Sequence, residues 1–185
     1  MKKREVILRS LVYGGSAALS GGGIGFLYTA IVYLIAFGLP PGVKFSLLIP
    51  VSAVFILHEW NVIRLPVPQN RWQVPHSWVS GPPMRNMAVW GLILGAGILT
   101  YIPHIIFHLL YLYLGFFKDP VHGLLFGALY GFSRALPAAF FGILRTIDSR
   151  IIELDRIPQI RQAGRMVNGL TLLLFTAYLI LRAMG

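Results

Sequence analysis

The sequence contains no cysteine. Disulfides, thiolate metal sites and thiol relays are therefore excluded, and the composition carries no trace of the redox compartment. Charge is almost as scarce. Only 12% of the 185 residues are Asp, Glu, Lys or Arg, where a soluble domain carries about 25%. Acids are scarcest: six, against sixteen Lys and Arg, for a net charge of +10. With so little solvating surface, a soluble globular domain, a disordered chain and a nucleic-acid-binding domain are all excluded. Apolar residues fill the chain instead, at 56% with a mean hydropathy of +0.71. This is the composition of an all-α integral membrane protein of several helices.

Five apolar runs stand out, at about 11–38, 43–64, 87–115, 121–144 and 167–184. A span needs roughly 20 residues at 1.5 Å each to cross a hydrocarbon core about 30 Å thick. The second, fourth and fifth runs fit that length. The first and third, at about 28 and 29 residues, are too long for a straight upright helix and are expected to tilt, kink or break. The places for this are Gly21-Gly22-Gly23-Ile24-Gly25 and Gly95-Ala96-Gly97 followed by Pro103. Splitting the first run at its glycines would give six spans instead of five. The basic start, Met1-Lys2-Lys3-Arg4, has the charge layout of a signal peptide, but its apolar run is too long and glycine-rich, so it reads as an uncleaved first span.

Charge placement decides the count. Segments 1–10, 64–85 and 145–165 hold four, three and five Lys or Arg; Lys44, Lys118 and Arg182 stand alone in the other two loops and the C-terminus. Five spans put the twelve together and the three opposite, whereas six would separate the N-terminal cluster from its peers. The expected topology is one polytopic domain of five spans in a plasma (inner) membrane, N-terminus cytoplasmic and C-terminus outside, with anionic lipid facing the basic loops. An offset of 74 residues matches Gly21 to Gly95, Gly23 to Gly97, Ile24 to Ile98 and Lys44 to Lys118. This is a weak hydropathy repeat, of a kind found in transporters and in membrane proteins generally.

Several features could carry chemistry. Glycines four apart, Gly91 and Gly95, then Gly123, Gly127 and Gly131, put small residues on one helix face; close packing is the plain reading, a flat wall along a substrate path the sharper one. Loop 65–85 has five prolines and cannot be a regular helix; Trp72 and Trp78 suit the headgroup level, and Arg71 and Arg85 suit phosphates. The same loop could gate a substrate or dock a partner. In segment 146–165, Ile147, Ile151 and Leu154 mark an amphipathic helix on the inner leaflet, with continuation of the fourth span as the rival. His104 and His108 share a helix face, and with His122 could meet a haem iron, pigment or metal, though hydrogen-bonded histidines within a bundle are commoner. His58-Glu59 opens like the zinc-protease motif, but Val62 stands where its second histidine would be. No cofactor is otherwise indicated; nothing resembles a Ser-His-Asp or paired-carboxylate site, and a lipid-modifying enzyme is the most distant of the readings.

Glu59 and Arg134 are the most informative pair, since ionisable groups within spans are costly and usually functional. Counted from Lys44 and Pro120, both lie about 21–22 Å inward. They are expected to face each other across the bundle interior, with His58 nearby.

Gly91-x-x-x-Gly95-x-Gly97, then Thr100-Tyr101-Ile102-Pro103, then Tyr130-Gly131-Phe132-Ser133-Arg134-Ala135-Leu136-Pro137 resembles the second half of CcdA/DsbD-type membrane proteins, a family related to LysE-type exporters, over about 50 residues. The resemblance implies a transport-like scaffold, with Pro103 at the family's helix-breaking proline and Thr100 and Tyr101 where a reactive cysteine neighbourhood would lie. The paired redox cysteines are missing, so thiol-electron transfer does not carry over. Five spans also cannot reproduce the family's three-plus-three inverted repeat. Two functions follow as expectations. One is a transporter or channel-like protein moving a small solute past Arg134, with Glu59, His58, Tyr130, Thr100 and Tyr101 along the path. The other is a non-catalytic subunit of a larger respiratory or photosynthetic complex, or a homo-oligomer, docking through its glycine faces and the Arg71–Trp72–Trp78 loop.

Overall fold

The structure is a computed structural model describing residues 3–65, 74–97, 105–145 and 157–184; for residues 3, 76, 138–145, 157–161 and 163 it describes the backbone alone. All regular elements among them are helices: α1 (Lys3–Ile35), α2 (Pro41–Glu59), α3 (His76–Val79), α4 (Pro83–Ala96), α5 (Ile106–Phe117), α6 (Pro120–Arg145) and α7 (Ile157–Met184). Three are long and apolar enough to cross a membrane: α1 from Arg4, α2, and α7 from Gly164. At 12 residues, α5 reaches only about 18 Å and cannot cross alone.

The chain divides into two compact units, residues 1–28, 68–102 and 120–153 in one, residues 29–67, 103–119 and 154–185 in the other. In the first unit, Gly91 and Gly95 of α4 press on the Tyr13 and Ala17 carbonyls of α1, and Ser20 Oγ donates to the Leu92 carbonyl at 2.7 Å. On α6, Gly123, Gly127 and Gly131 meet the α1 backbone at Gly25, Gly21 and Ala17. The pairing order makes α4 parallel to α1 and α6 antiparallel. Here the expectation of a broken first span fails. Helix α1 runs unbroken for 33 residues, and two of its glycines serve close approach instead: a methyl on Gly21 or Gly25 would overlap a carbonyl oxygen of α6. The third apolar run does stop, at Gly97, whose φ of 69° closes α4 in a conformation few side chains tolerate. Helices resume at Ile106.

In the second unit α7 lies antiparallel along α2. Phe45, Leu48, Ile56, Leu109, Leu172 and Leu179 form the core between α2, α5 and α7. Ser52 and Thr176, both buried, are hydrogen-bonded to each other in that seam, where hydrocarbon would otherwise leave two hydroxyls unmatched. The last turns of α1 join this unit, Thr29 and Val32 packing on Gly115 of α5. Two expected boundaries shift. Helix α2 ends at Glu59 instead of 64, because Asn61 turns to φ 59° and the Val62 and Ile63 amides fold back to the Leu57 carbonyl. The final helix begins at Ile157, so residues 157–165 continue directly into it; residues 147, 151 and 154 of the expected surface helix lie outside the described residues.

Candidate functional site

Glu59 is the last residue of α2, and only 2% exposed. A carboxylate there stands at the negative end of its own helix dipole and needs compensation from elsewhere. Two neighbours in the same unit supply it. Its Oε1 accepts the Ile105 backbone N–H at 3.0 Å, at the positive N-terminal end of α5. From α7, Arg165 brings its Nε to 3.9 Å from Oε2. The shorter bonds of Arg165 go to the end of α2 itself, Nη2 to the His58 carbonyl at 2.9 Å and Nε to the Glu59 carbonyl at 3.1 Å. One guanidinium thus caps the helix and faces its terminal acid. His58 Nδ1 accepts the Leu65 amide at 3.1 Å, so a neutral ring carries its proton on Nε2. Next in line, Trp60 lays its indole against Gly169, where any larger residue would collide with it.

The other unit holds Arg134. On α6, Tyr130 and Arg134 are one turn apart, and the guanidinium sits over the phenol ring, 5.6 Å from its centroid. Both border the C-terminal end of α4: a Cβ placed on Gly97 would lie 3.5 Å from Tyr130 Cε1 and 3.9 Å from Arg134 Nη1. A cation is the favoured partner for that negative helix end. Pro137, three residues on, removes one backbone donor from α6, and Ser133 Oγ bonds back to the Tyr130 carbonyl at 2.8 Å.

Not every expected site residue comes into view. Thr100, Tyr101, Arg71, Trp72 and His104 lie outside the described residues. Trp78 is on the single turn α3 and 47% exposed. His108 is on α5 beside Phe107 in one unit, and His122 on α6 in the other. Glu59 and Arg134 likewise belong to different units, and the contacts given above for each are within its own. What sequence reasoning missed is Arg165, placed in a basic loop. A signal was there: Arg165, Gly169, Leu172, Thr176 and Leu179 recur at alternating spacings of four and three, one continuous helix stripe. No protein-family model matches the chain, and neither a curated protein nor a solved structure does.

Proposed function

We propose that the chain is an integral membrane protein of five spans, N-terminus cytoplasmic, that moves a small solute, an anion by preference, with Arg134 as the charge that meets it. One observation carries the reading. Each of the two helix ends described within the third apolar run meets, inside its own unit, a formal charge of the opposite kind: Arg134 at the end of α4, Glu59 at the start of α5. Interrupted helices whose ends meet charges are how many secondary transporters build solute and ion sites. Membrane insertion is supported by the three long apolar helices and by outward-facing Leu19, Leu34, Leu129, Leu174 and Leu181, each more than half exposed. So much bare leucine would make a soluble protein associate. The helix directions within each unit also agree with alternating crossings of a five-span chain.

The test is solute movement in proteoliposomes. Vesicles with purified protein, and with valinomycin so that potassium can follow the anion, would be challenged with potassium salts of chloride, phosphate, lactate and aspartate, and followed by stopped-flow light scattering. At least one salt should enter faster than in protein-free vesicles, and Arg134→Gln should remove that excess while circular dichroism stays unchanged. If no salt moves faster, the reading fails and a subunit of a larger complex takes its place.

A further inference from the structure

At the end of the second unit opposite Glu59, the N-terminus of α2 and the C-termini of α5 and α7 meet around a half-open cleft of about 620 Å³. That volume falls within the range of about 300–1,000 Å³ usual for small-molecule sites. Pro41, Phe45, Phe117 and Leu181 make apolar walls, and among the described residues Arg182 is the charged one on the lining. Phe45 and Phe117 pack ring to ring at 4.6 Å, and Leu181 leaves 72% of its surface at the mouth. Two further cations flank these walls. Lys44 precedes Phe45, with Nζ 2.8 Å from the Phe116 carbonyl and 6.0 Å from the Phe117 ring centroid. Lys118 follows Phe117 as the exposed cap of α5. Asp119 is not on the lining.

Five-span topology leaves only Lys44, Lys118 and Arg182 on the outer side, against twelve Lys and Arg on the inner. All three stand in or beside this one cleft, which the rule that concentrates cations inside does not account for. We propose that the cleft binds an anionic phospholipid of the outer leaflet, its phosphodiester between Arg182 and Lys118 and its first acyl carbons over Phe45, Phe117 and Leu181. The walls decide against a soluble anion, since they offer apolar surface where such a ligand needs hydrogen-bond donors. The charges decide against a zwitterionic lipid, whose ammonium they would repel. The positive end of the α2 dipole at Pro41 adds to the same field. This inference rests on the membrane-spanning reading, though not on transport.

Native mass spectrometry of the detergent-solubilised protein tests it, with phosphatidylglycerol and phosphatidylcholine of identical chains supplied in equal amounts. The wild type should retain one phosphatidylglycerol in preference to phosphatidylcholine. Each cation removed should cost roughly fivefold in that preference, so Arg182→Gln should show one such step and Arg182→Gln/Lys118→Gln two. Replacing Lys2, Lys3 and Arg4 by Gln removes more charge but no residue of the lining, and should leave this adduct in place. Equal retention of the two lipids, or an adduct unchanged in the double variant, would overturn the proposal. Displacement by soluble glycerol phosphate, or a dimer lost on Arg182→Gln, would assign the cleft to another occupant and overturn it too. Release of the chain from membranes by alkaline carbonate would instead defeat the membrane reading beneath it.

Discussion

If the glycines of α1 are packing surfaces and not hinges, substituting them one at a time should separate two classes within five residues. A methyl on Gly25 would overlap the Gly123 carbonyl and crowd Gly127 Cα at 2.9 Å, whereas one on Gly23 meets nothing within 4 Å. Gly95 resembles Gly25, its methyl driven into the Ala17 carbonyl, and Gly15 resembles Gly23. Alanine in a helix interior gains up to about 1 kcal/mol over glycine. Inserting a methyl into a full contact costs about 1–3 kcal/mol, and backbone on the other side cannot rotate away as a side chain would. Gly23→Ala and Gly15→Ala should therefore be neutral or slightly stabilising. Gly25→Ala and Gly95→Ala should be less stable than these by about 1–3 kcal/mol, a shift in Tm of roughly 2–4 °C per kcal/mol for a chain this size. Thermal unfolding in a mild detergent, followed by far-ultraviolet circular dichroism, reads the difference. A hinge would behave otherwise, because every alanine in the 21–25 stretch would stiffen it alike. Equal effects of Gly23→Ala and Gly25→Ala would refute the packing account.

Other outcomes follow from the second unit and the topology. Arg165→Leu should destabilise by about 3–5 kcal/mol, the cost of removing one member of a buried ion pair, since it takes away a cation that faces the buried Glu59 carboxylate, and adding Glu59→Leu should recover most of it; a double variant as unstable as the single would remove Arg165 as a compensating charge. Ser52→Ala should cost about 0.6 kcal/mol, the average for hydrogen bonds between membrane helices, and no more than about 1.7, with Thr176→Val adding little on top; full additivity in unfolding measurements would mean that the two hydroxyls act separately. With no native cysteine to interfere, single cysteines at Lys44 or Lys118 should react with an impermeant maleimide from outside intact cells, and those at Gln73 or Gln159 should not. Outside labelling at Gln73 would reverse the orientation.

Much of the helical pattern was legible because lipid-length apolar runs and glycines at four-residue spacing are one-dimensional signals. The stop after Gly95-Ala96-Gly97 could be read for the same reason, since glycine at the end of a run marks a C-cap. The continuity of α1 could not. Glycine runs permit both a bend and a close approach, and only the Gly123–Gly127–Gly131 face of a distant segment settles which. Arg165 was obscured by the opposite error. A cation among other cations reads as solvated loop, although its register with Leu172 and Leu179 continued the buried stripe of α7. The early end of α2 was half visible: Asn61 tolerates a left-handed turn better than most residues, but Val62 and Ile63 are apolar and looked like more span.

The central claim is that Arg134, at the end of α4, stands on a wet path through a membrane. Cysteine accessibility at Tyr130 and its neighbour Leu129 tests it most directly, because adjacent positions on α6 differ in surroundings and hardly in depth. Tyr130 lies beside Arg134 and Gly97, while Leu129 is 64% exposed. In intact membranes, Tyr130→Cys should react with a small charged methanethiosulfonate, and Leu129→Cys, facing hydrocarbon, should not. Silence at Tyr130 together with labelling at Leu129 would contradict the account, since water would then lie on the face assigned to lipid.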